Sequence, residues 1–171
     1  IIGLGLIGGS LAKSLRRLGF ATTVVGVDAS SEHCEEAVQL GLVDEVKSLE
    51  EACCESDLVI LAIPVDAARQ TILNVLDLVG SNTVVADMGS TKDGICKVVE
   101  KHEKRAQFVA THPIAGTEHT GPSAAIDGLF DDKVAIICNR ERSSEGALDR
   151  VENMYEVLHM KVVSMDSAEH D

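Results

Sequence analysis

The sequence predicts an α/β fold, a doubly wound and mostly parallel β-sheet with helices on both faces. Three observations predict it. Short β-branched runs alternate with amphipathic segments of helical length along the whole chain. The runs are continuously apolar rather than alternating, as strands are when helices cover both faces. A glycine-rich string sits where the first run meets the first helical segment. Strand followed by helix, repeated, argues for βαβ units with right-handed crossovers.

The elements follow in order. Ile1–Leu4 is a short first strand that passes into the helical segment Gly8–Leu18. Gly19 stands where a helix C-terminal glycine belongs. Thr22–Val27 is the second strand, and Ser31 is a fair N-cap for the helix Ser31–Leu40, which Gly41 closes. Leu49–Cys54 is a short helix, with the acidic stretch Glu50–Glu55 as its solvated face. Leu58–Ile63 is a strand, and Pro64 follows it where a missing N–H costs the ladder nothing. Val65–Leu78 is helical, Gly80–Asn82 is a surface loop and Thr83–Ala86 is a strand. A helix is expected over Lys92–Lys104 and a strand over Gln107–Ala110. Thr111–Pro122 is then the longest irregular stretch, and such loops in compact domains are usually functional or mobile. Val134–Cys138, the loop Asn139–Ser144, the helix Ser144–Leu158 and the strand Lys161–Ser164 complete the pattern. The pattern leaves the strand order at the far edge of the sheet open.

Composition narrows the function. The 171 residues are 45% hydrophobic, enough for one domain with a sizeable core. Fifteen basic residues against 28 acidic ones give a net charge of −13. That balance repels phosphate backbones and anionic lipid, which excludes nucleic acid and membrane surfaces as partners. A small anionic ligand stays compatible, because local backbone dipoles can oppose the net field. The five cysteines form no C-x-x-C pair, which suits reduced thiols in a cytoplasmic protein. There is no apolar run of about 20 residues and no signal peptide. The chain opens at Ile1 inside an apolar run and stops at Asp171 after a polar segment, so the expectation is a piece of a longer protein. Residues 1–164 then form one domain, and 165–171 begin a linker toward another.

Gly3-Leu4-Gly5-Leu6-Ile7-Gly8 fits G-x-G-x-x-G, with an apolar run before it and a helical segment after it. Gly3 permits the tight turn, Gly5 lets backbone approach a pyrophosphate, and Gly8 lets helix pack on strand. The pyrophosphate sits at the helix N-terminus, against Leu6 and Ile7. Asp28 follows Gly8 by twenty residues, close to the spacing of about 20 at which an acid accepts the ribose hydroxyls. It would repel a 2′-phosphate, and Ala29-Ser30-Ser31 offers no arginine, so NAD is favoured over NADP. This makes 1–164 a Rossmann-type dinucleotide-binding domain. The plainer alternatives are a ligand-free glycine turn and an Asp28 that only caps the next helix.

In a parallel doubly wound sheet, ligands bind outside the carboxyl ends of the strands. The glycine loop, Asp28, Ile63 with Pro64, the cluster Asp87–Lys92 with Gly89, and the cluster Thr111–Glu118 should therefore line one crevice. Ser90 and His112 fall toward its nicotinamide end. His112 can accept a hydrogen bond or act as general base for an alcohol that gives up hydride. Ser90 could bridge His112 to that hydroxyl, and Lys92, Thr117 and Glu118 are candidate orienting groups. The alternative is that His112-Pro113 only shapes a loop. His33, His102 and His159 read as solvated, and His119 stays open. His170-Asp171 has no further ligands at usable spacing, so no metal is expected.

These motifs resemble the prephenate/arogenate dehydrogenase family over the whole chain. The resemblance rests on Ile1–Ser10, on Ala62–Val65, on D-M-G-S-T-K at Asp87–Lys92 and above all on T-H-P-I-A-G-T-E at Thr111–Glu118. It is continued by Gly121, Leu129 and Phe130. It implies cofactor binding at Gly3–Gly8, a catalytic His112 that accepts a hydrogen bond from the ring hydroxyl of prephenate, an assisting Ser90, and Thr117 and Glu118 at the substrate pocket. It also implies that Glu169-His170-Asp171 enters a C-terminal helical domain, largely missing here, that makes a homodimer and supplies an arginine for the substrate carboxylate. The implied reaction is oxidative decarboxylation of prephenate to 4-hydroxyphenylpyruvate, a step of tyrosine biosynthesis. An arogenate dehydrogenase, another Rossmann oxidoreductase and a non-catalytic NAD-sensing module are the rival readings.

Overall fold

Ile2 is where the sheet is joined. In the computed structural model, which describes all 171 residues, it bridges in parallel to Val27 on one side and to Leu61 on the other. Its N–H donates to the Ile60 carbonyl at 2.8 Å, and its own carbonyl accepts from Ala62 N at 2.7 Å. On the opposite side Gly3 N donates to Val27 O and Val27 N to Ile1 O, at 2.7 and 2.9 Å. Ile1–Gly3 is thus the central strand of the molecule in all but length. It stitches a two-stranded sheet, β1 (Val25–Gly26) and β2 (Glu45–Val46), to a five-stranded one. The latter runs in the order β3 (Leu58–Leu61), β4 (Val84–Asp87), β5 (Phe108–Pro113), β6 (Val134–Cys138) and β7 (Lys161–Met165). From Ile2 the chain winds outward both ways, the switch point at which such sheets bind ligands.

Helices cover both faces, and the strands show why they read as continuously apolar. Along β3 to β5, Ile60, Ala86 and Val109 face one core, with Leu11 and Leu15 of α1 (Leu6–Arg17) and Val151, Met154 and Tyr155 of α6 (Glu145–Val157). The intervening Val59, Leu61, Val85, Phe108 and Ala110 face the other. There they meet Ile72, Val75 and Leu76 of α4 (Val65–Leu78) and Ile95 and Val99 of α5 (Asp93–Val99). Each fully buried Ile, Leu or Phe stabilises by about 1.5–3 kcal/mol relative to exposure. A third cluster packs Leu4 and Ala12 against Ala37 of α2 (Ser31–Gln39) and against Leu42 and Val43. The short α3 (Leu49–Glu55) carries a capping box in which Ser48 and Glu51 bond each other's backbone N–H.

Four sequence expectations change. The uniform crossovers fail at the far edge: β6 pairs antiparallel with β5, and β7 runs parallel to β6. The link from β5 to β6 contains no crossover helix, only a 3₁₀ turn at Pro122–Ala124. A parallel return needs such a crossover, so the chain re-enters at the edge where β5 ends. β5 itself continues through Pro113, so Thr111, His112 and Pro113 belong to a strand and not to a loop. β4 pairs with β5 only as far as Ala110, so Pro113 lies where that side of the strand has no ladder to interrupt. Third, α5 ends at Val99, and Ser30, not Ser31, caps α2 by accepting from His33 N at 3.2 Å. Gly19 and Gly41 take the left-handed φ expected after a helix, +73° and +67°.

Finally, residues 165–171 pack onto the domain. Met165 completes β7, Asp166 caps α7 (Ser167–His170), and α7 lies against α5. No helix is long and apolar enough to cross a membrane.

Candidate functional site

A cavity of about 870 Å³ opens along the carboxyl ends of β1, the Ile2 segment, β3, β4 and β5. Asp28 lies at the β1 end and His112 at the β5 end. Four strand spacings separate them, roughly 19 Å.

The first wall is the glycine turn, where Gly3, Gly5, Leu6 and Ile7 line the cavity. Gly3 has φ +94°, and a Cβ there would lie 2.5 Å from the Ala62 carbonyl oxygen. A Cβ on Gly8 would fall 1.8 Å from the Gly3 carbonyl oxygen, so Gly8 is the residue that lets α1 pack against the turn. A Cβ on Gly5 would meet nothing within 4 Å. The open space is therefore on the ligand side of the turn. Gly5 caps α1 without a side chain, and no acid stands in the first turn. The leading N–H groups of α1 have no intrahelical partner and carry the positive end of its dipole. The donor set fits a phosphate group.

Asp28 has a second task beside facing the cavity. Its Oδ2 accepts from Leu4 N inside the glycine turn at 2.7 Å, and its Oδ1 from Ser30 N at 2.9 Å. The carboxylate thus braces the turn from the end of β1, with His33 Nδ1 3.6 Å away. Ile63 and Pro64 continue the lining after β3.

The other end is assembled from side chains. Lys92 is fully buried and pairs with the buried Asp87, and its ammonium also donates to the Thr111 carbonyl at 2.7 Å. Asp87 accepts from Gly89 N at 3.0 Å and from Thr111 N at 3.3 Å. Burial pushes the Asp87 carboxyl up, while Lys92 and those N–H groups pull it back. Lys92 is therefore a brace between β4 and β5 and does not line the cavity. Removing one partner of such a buried pair typically destabilises by about 3–5 kcal/mol.

On this scaffold Gly89, Ser90 and His112 line the cavity. Burial first, then the neighbouring His170 and Lys92, lower the His112 pKa from 6.5 to about 4. The ring is neutral near pH 7, a hydrogen-bond acceptor before it is a cation. Its Nδ1 lies 2.9 Å from Nε2 of His170, with the rings edge to face at 71°. His170 Nδ1 lies 2.7 Å from Asp171 Oδ1. Asp171 also accepts from Lys92 N at 2.7 Å and Asp93 N at 3.0 Å. Burial works to raise the Asp171 carboxyl, but the bond from His170 and those two N–H groups hold it below the usual range.

Sequence reasoning missed His170 and Asp171 as neighbours of His112. The contact spans 58 residues and no local signal marks it. The exposed Ser90 lines the cavity with no hydrogen bond to His112. Thr117 and Glu118 are exposed and outside the lining: Thr117 Oγ1 accepts from His119 N at 3.2 Å, and Glu118 lies 3.5 Å from the His119 ring. His119, left open by the sequence, does line the cavity, as do Thr120 and Gly121. No three His, Cys, Asp or Glu residues gather as a metal-holding group.

Comparison with known proteins agrees with this geometry. Residues 11–164 match the family described as prephenate dehydrogenase, nucleotide-binding domain. The chain is 32% identical over 180 residues to the prephenate dehydrogenase of Bacillus subtilis, spanning all of this chain and 47% of that protein. It therefore covers about half the length of that curated relative. The crystal structure of Aquifex aeolicus prephenate dehydrogenase, in complex with hydroxyphenyl propionate and NAD+, superposes with a TM-score of 0.91 at 32% identity. The match covers 99% of this chain and 59% of that one. Synechocystis arogenate dehydrogenase superposes with a TM-score of 0.85 at 27% identity, over 99% of this chain and 59% of that one.

Proposed function

The chain belongs to the prephenate dehydrogenase family, as its nucleotide-binding domain, and from that premise we propose that it binds NAD and carries the cofactor half of an enzyme that oxidises and decarboxylates prephenate to 4-hydroxyphenylpyruvate. The observation that carries the reading is that one cavity joins the phosphate-fitting glycine turn to a neutral histidine. Asp28, at the end of β1, accepts the ribose hydroxyls and disfavours a 2′-phosphate, so NAD is the cofactor rather than NADP.

Bound NAD supplies the hydride acceptor. The work of the chain is orientation and proton handling. The N-terminus of α1 with Gly5, Leu6 and Ile7 holds the pyrophosphate, and Ile63, Pro64 and Gly89 seat the cofactor along the strand ends. His112 accepts the hydrogen bond of the ring hydroxyl as that C–O bond becomes a carbonyl, with Ser90 beside it. Hydride leaves the same ring carbon, carbon dioxide departs, and the proton returns to oxygen as the ring aromatises, so no net proton is released. Aromatisation supplies driving force, and positioning supplies much of the rest. Thr117 and Glu118 lie outside the cavity lining on the loop after β5, and they would touch the substrate only where that loop folds over the cavity mouth. The remainder of the protein supplies the dimer contact and an arginine for the substrate carboxylate, and the enzyme works in the cytoplasm.

The test is NADH formation by the complete protein, with prephenate and arogenate offered separately. The expected result is turnover of prephenate that falls by about 10²–10⁴-fold in His112→Asn, the usual worth of a proton-handling group, with NAD binding retained. Turnover of arogenate alone would keep the mechanism and change the substrate. Binding of NAD with neither substrate turned over would leave another Rossmann oxidoreductase or a sensing module.

A further inference from the structure

His112 has two ring nitrogens, and a histidine that accepts a hydrogen bond must keep one of them bare. In a neutral imidazole the two alternate, one N–H and one lone pair, and the partner of the first decides the state of the second. The partner of His112 Nδ1 is His170 Nε2, at 2.9 Å. No protein group bonds His112 Nε2, so it is the nitrogen left for a ligand in the cavity that His112 lines.

The state of His170 is fixed in turn by Asp171. That carboxylate accepts three donors, the N–H groups of Lys92 and Asp93 and the His170 Nδ1–H. An ionised carboxylate has only lone pairs to offer, so Nδ1 of His170 is the donor. In neutral His170 the Nε2 then carries the lone pair, and the bond to His112 runs from His112 Nδ1–H to His170 Nε2. That leaves His112 Nε2 unprotonated. The arrangement is anchored. The His170 side chain is 5% exposed. Ser167 at the start of α7 exchanges hydrogen bonds with Asn139, donating N–H to Oδ1 at 2.8 Å and accepting from Nδ2 at 3.0 Å. Asp171 closes the other end by capping α5. The buried Lys92 and Asp87 behind β5 stay paired with each other and offer neither ring a competing hydrogen bond.

We propose that Asp171 and His170 are positioning residues that set the tautomer of His112, so that its Nε2 presents a lone pair to the cavity. The relay deepens the dehydrogenase reading and rests on it for its catalytic meaning. Without the relay, His112 is free to carry its proton on Nε2 and to meet a substrate hydroxyl with a donor where an acceptor is needed.

The experiment uses the complete protein with 15N-labelled histidine, observing the ring nitrogens of His112 by NMR and assigning them by their loss in His112→Asn. The expected spectrum has Nδ1 protonated and Nε2 bare. A wild-type His112 protonated on Nε2 would overturn the proposal without any further variant. In His170→Leu the tautomer is expected to mix, and kcat with prephenate to fall about tenfold to a hundredfold, the scale seen when an outer partner orienting a functional histidine is removed. The Kd for NAD should not move. His170→Gln, whose amide oxygen can accept from His112 Nδ1, should restore kcat to within several-fold of wild type. An unchanged tautomer and kcat in His170→Leu would sink the relay, as would a Gln variant no better than the Leu one. An unchanged turnover in His112→Asn would instead sink the dehydrogenase reading, and the wild-type spectrum would still decide the relay.

Discussion

The two ends of the cavity are built in different currencies. At the β1 end the chain uses backbone: a left-handed Gly3, a Gly8 with no room for a methyl group, and the free N–H groups of α1. At the β5 end it uses side chains: the buried Asp87–Lys92 pair and the row Asp171–His170–His112. The first end is local, since six consecutive residues and one acid make it. The second is assembled across the sequence, with Lys92 N bonded to Asp171 over 79 residues. A backbone site can be recognised from residue types in order, because only glycine satisfies its geometry. A side-chain site depends on which strands the topology brings together, and that is settled by packing.

The contrast can be broken in three places. The largest effect belongs to Gly8→Ala, whose new methyl group would overlap the Gly3 carbonyl. A clash with backbone cannot be relieved by rotating a side chain, so a loss on the order of 5 kcal/mol is expected, at the exceptional end for a point substitution. Thermal unfolding measures it, and a variant as stable as the parent would show that α1 can shift away from the turn.

The middle effect belongs to His112. Its folded pKa of about 4 lies below the unfolded value of about 6.5. The unfolded chain therefore takes up a proton first as pH falls. The stabilising difference is complete above pH 6.5 and is lost as pH drops from there through about 4. His112→Asn should lose less stability over that window, which melting temperatures across pH will test. The acidic limb of turnover by the complete protein should likewise lie near pH 4 rather than near 6.5. A limb at 6.5 would mean that the ring is more solvated than the structure shows.

The smallest structural effect belongs to Gly5→Ala. Open space surrounds the would-be methyl group, so stability should stay within about 0.5 kcal/mol, as for an unencumbered surface change. Affinity for NAD should nonetheless fall, because that methyl group would occupy the ligand's side of the turn. Set beside Gly8→Ala, it separates glycine needed by the fold from glycine needed by the ligand.

The same division governs what the sequence disclosed. The alternation of apolar runs and helices, the glycine turn, Asp28 and the helix-closing Gly19 and Gly41 were legible because each is dictated by neighbours within a few residues. The reversal at β6 was hidden, since direction depends on whether the preceding connection forms a crossover helix, and Ile114–Lys133 gives no strong periodic signal either way. His112 was legible as a candidate from its place after an apolar run, but its being inside β5 was not, because only the pairing with β6 extends the strand that far. His170 and Asp171 read only as the start of a linker and an incomplete metal site, because their partners lie far back along the chain. The Ser30 cap, one residue from the expected Ser31, reflects how loosely pattern fixes a helix end.

The position of Ile2 has a consequence for the order in which the molecule can form. Its ladder partners are Val27, just past β1, and Leu61 of β3, so its second pairing must close a loop of 58 residues for Ile60 to accept its N–H. Contacts of such separation are slow to form, since the entropy of closing the loop is lost before the bonds reward it. The middle of the sheet, although it comes early in the chain, must wait for β3 to be in hand. The glycine turn that hangs from Ile2 is therefore expected to take its ligand-binding shape late in folding, which pulsed hydrogen exchange at the Ile2 and Gly3 amides would check.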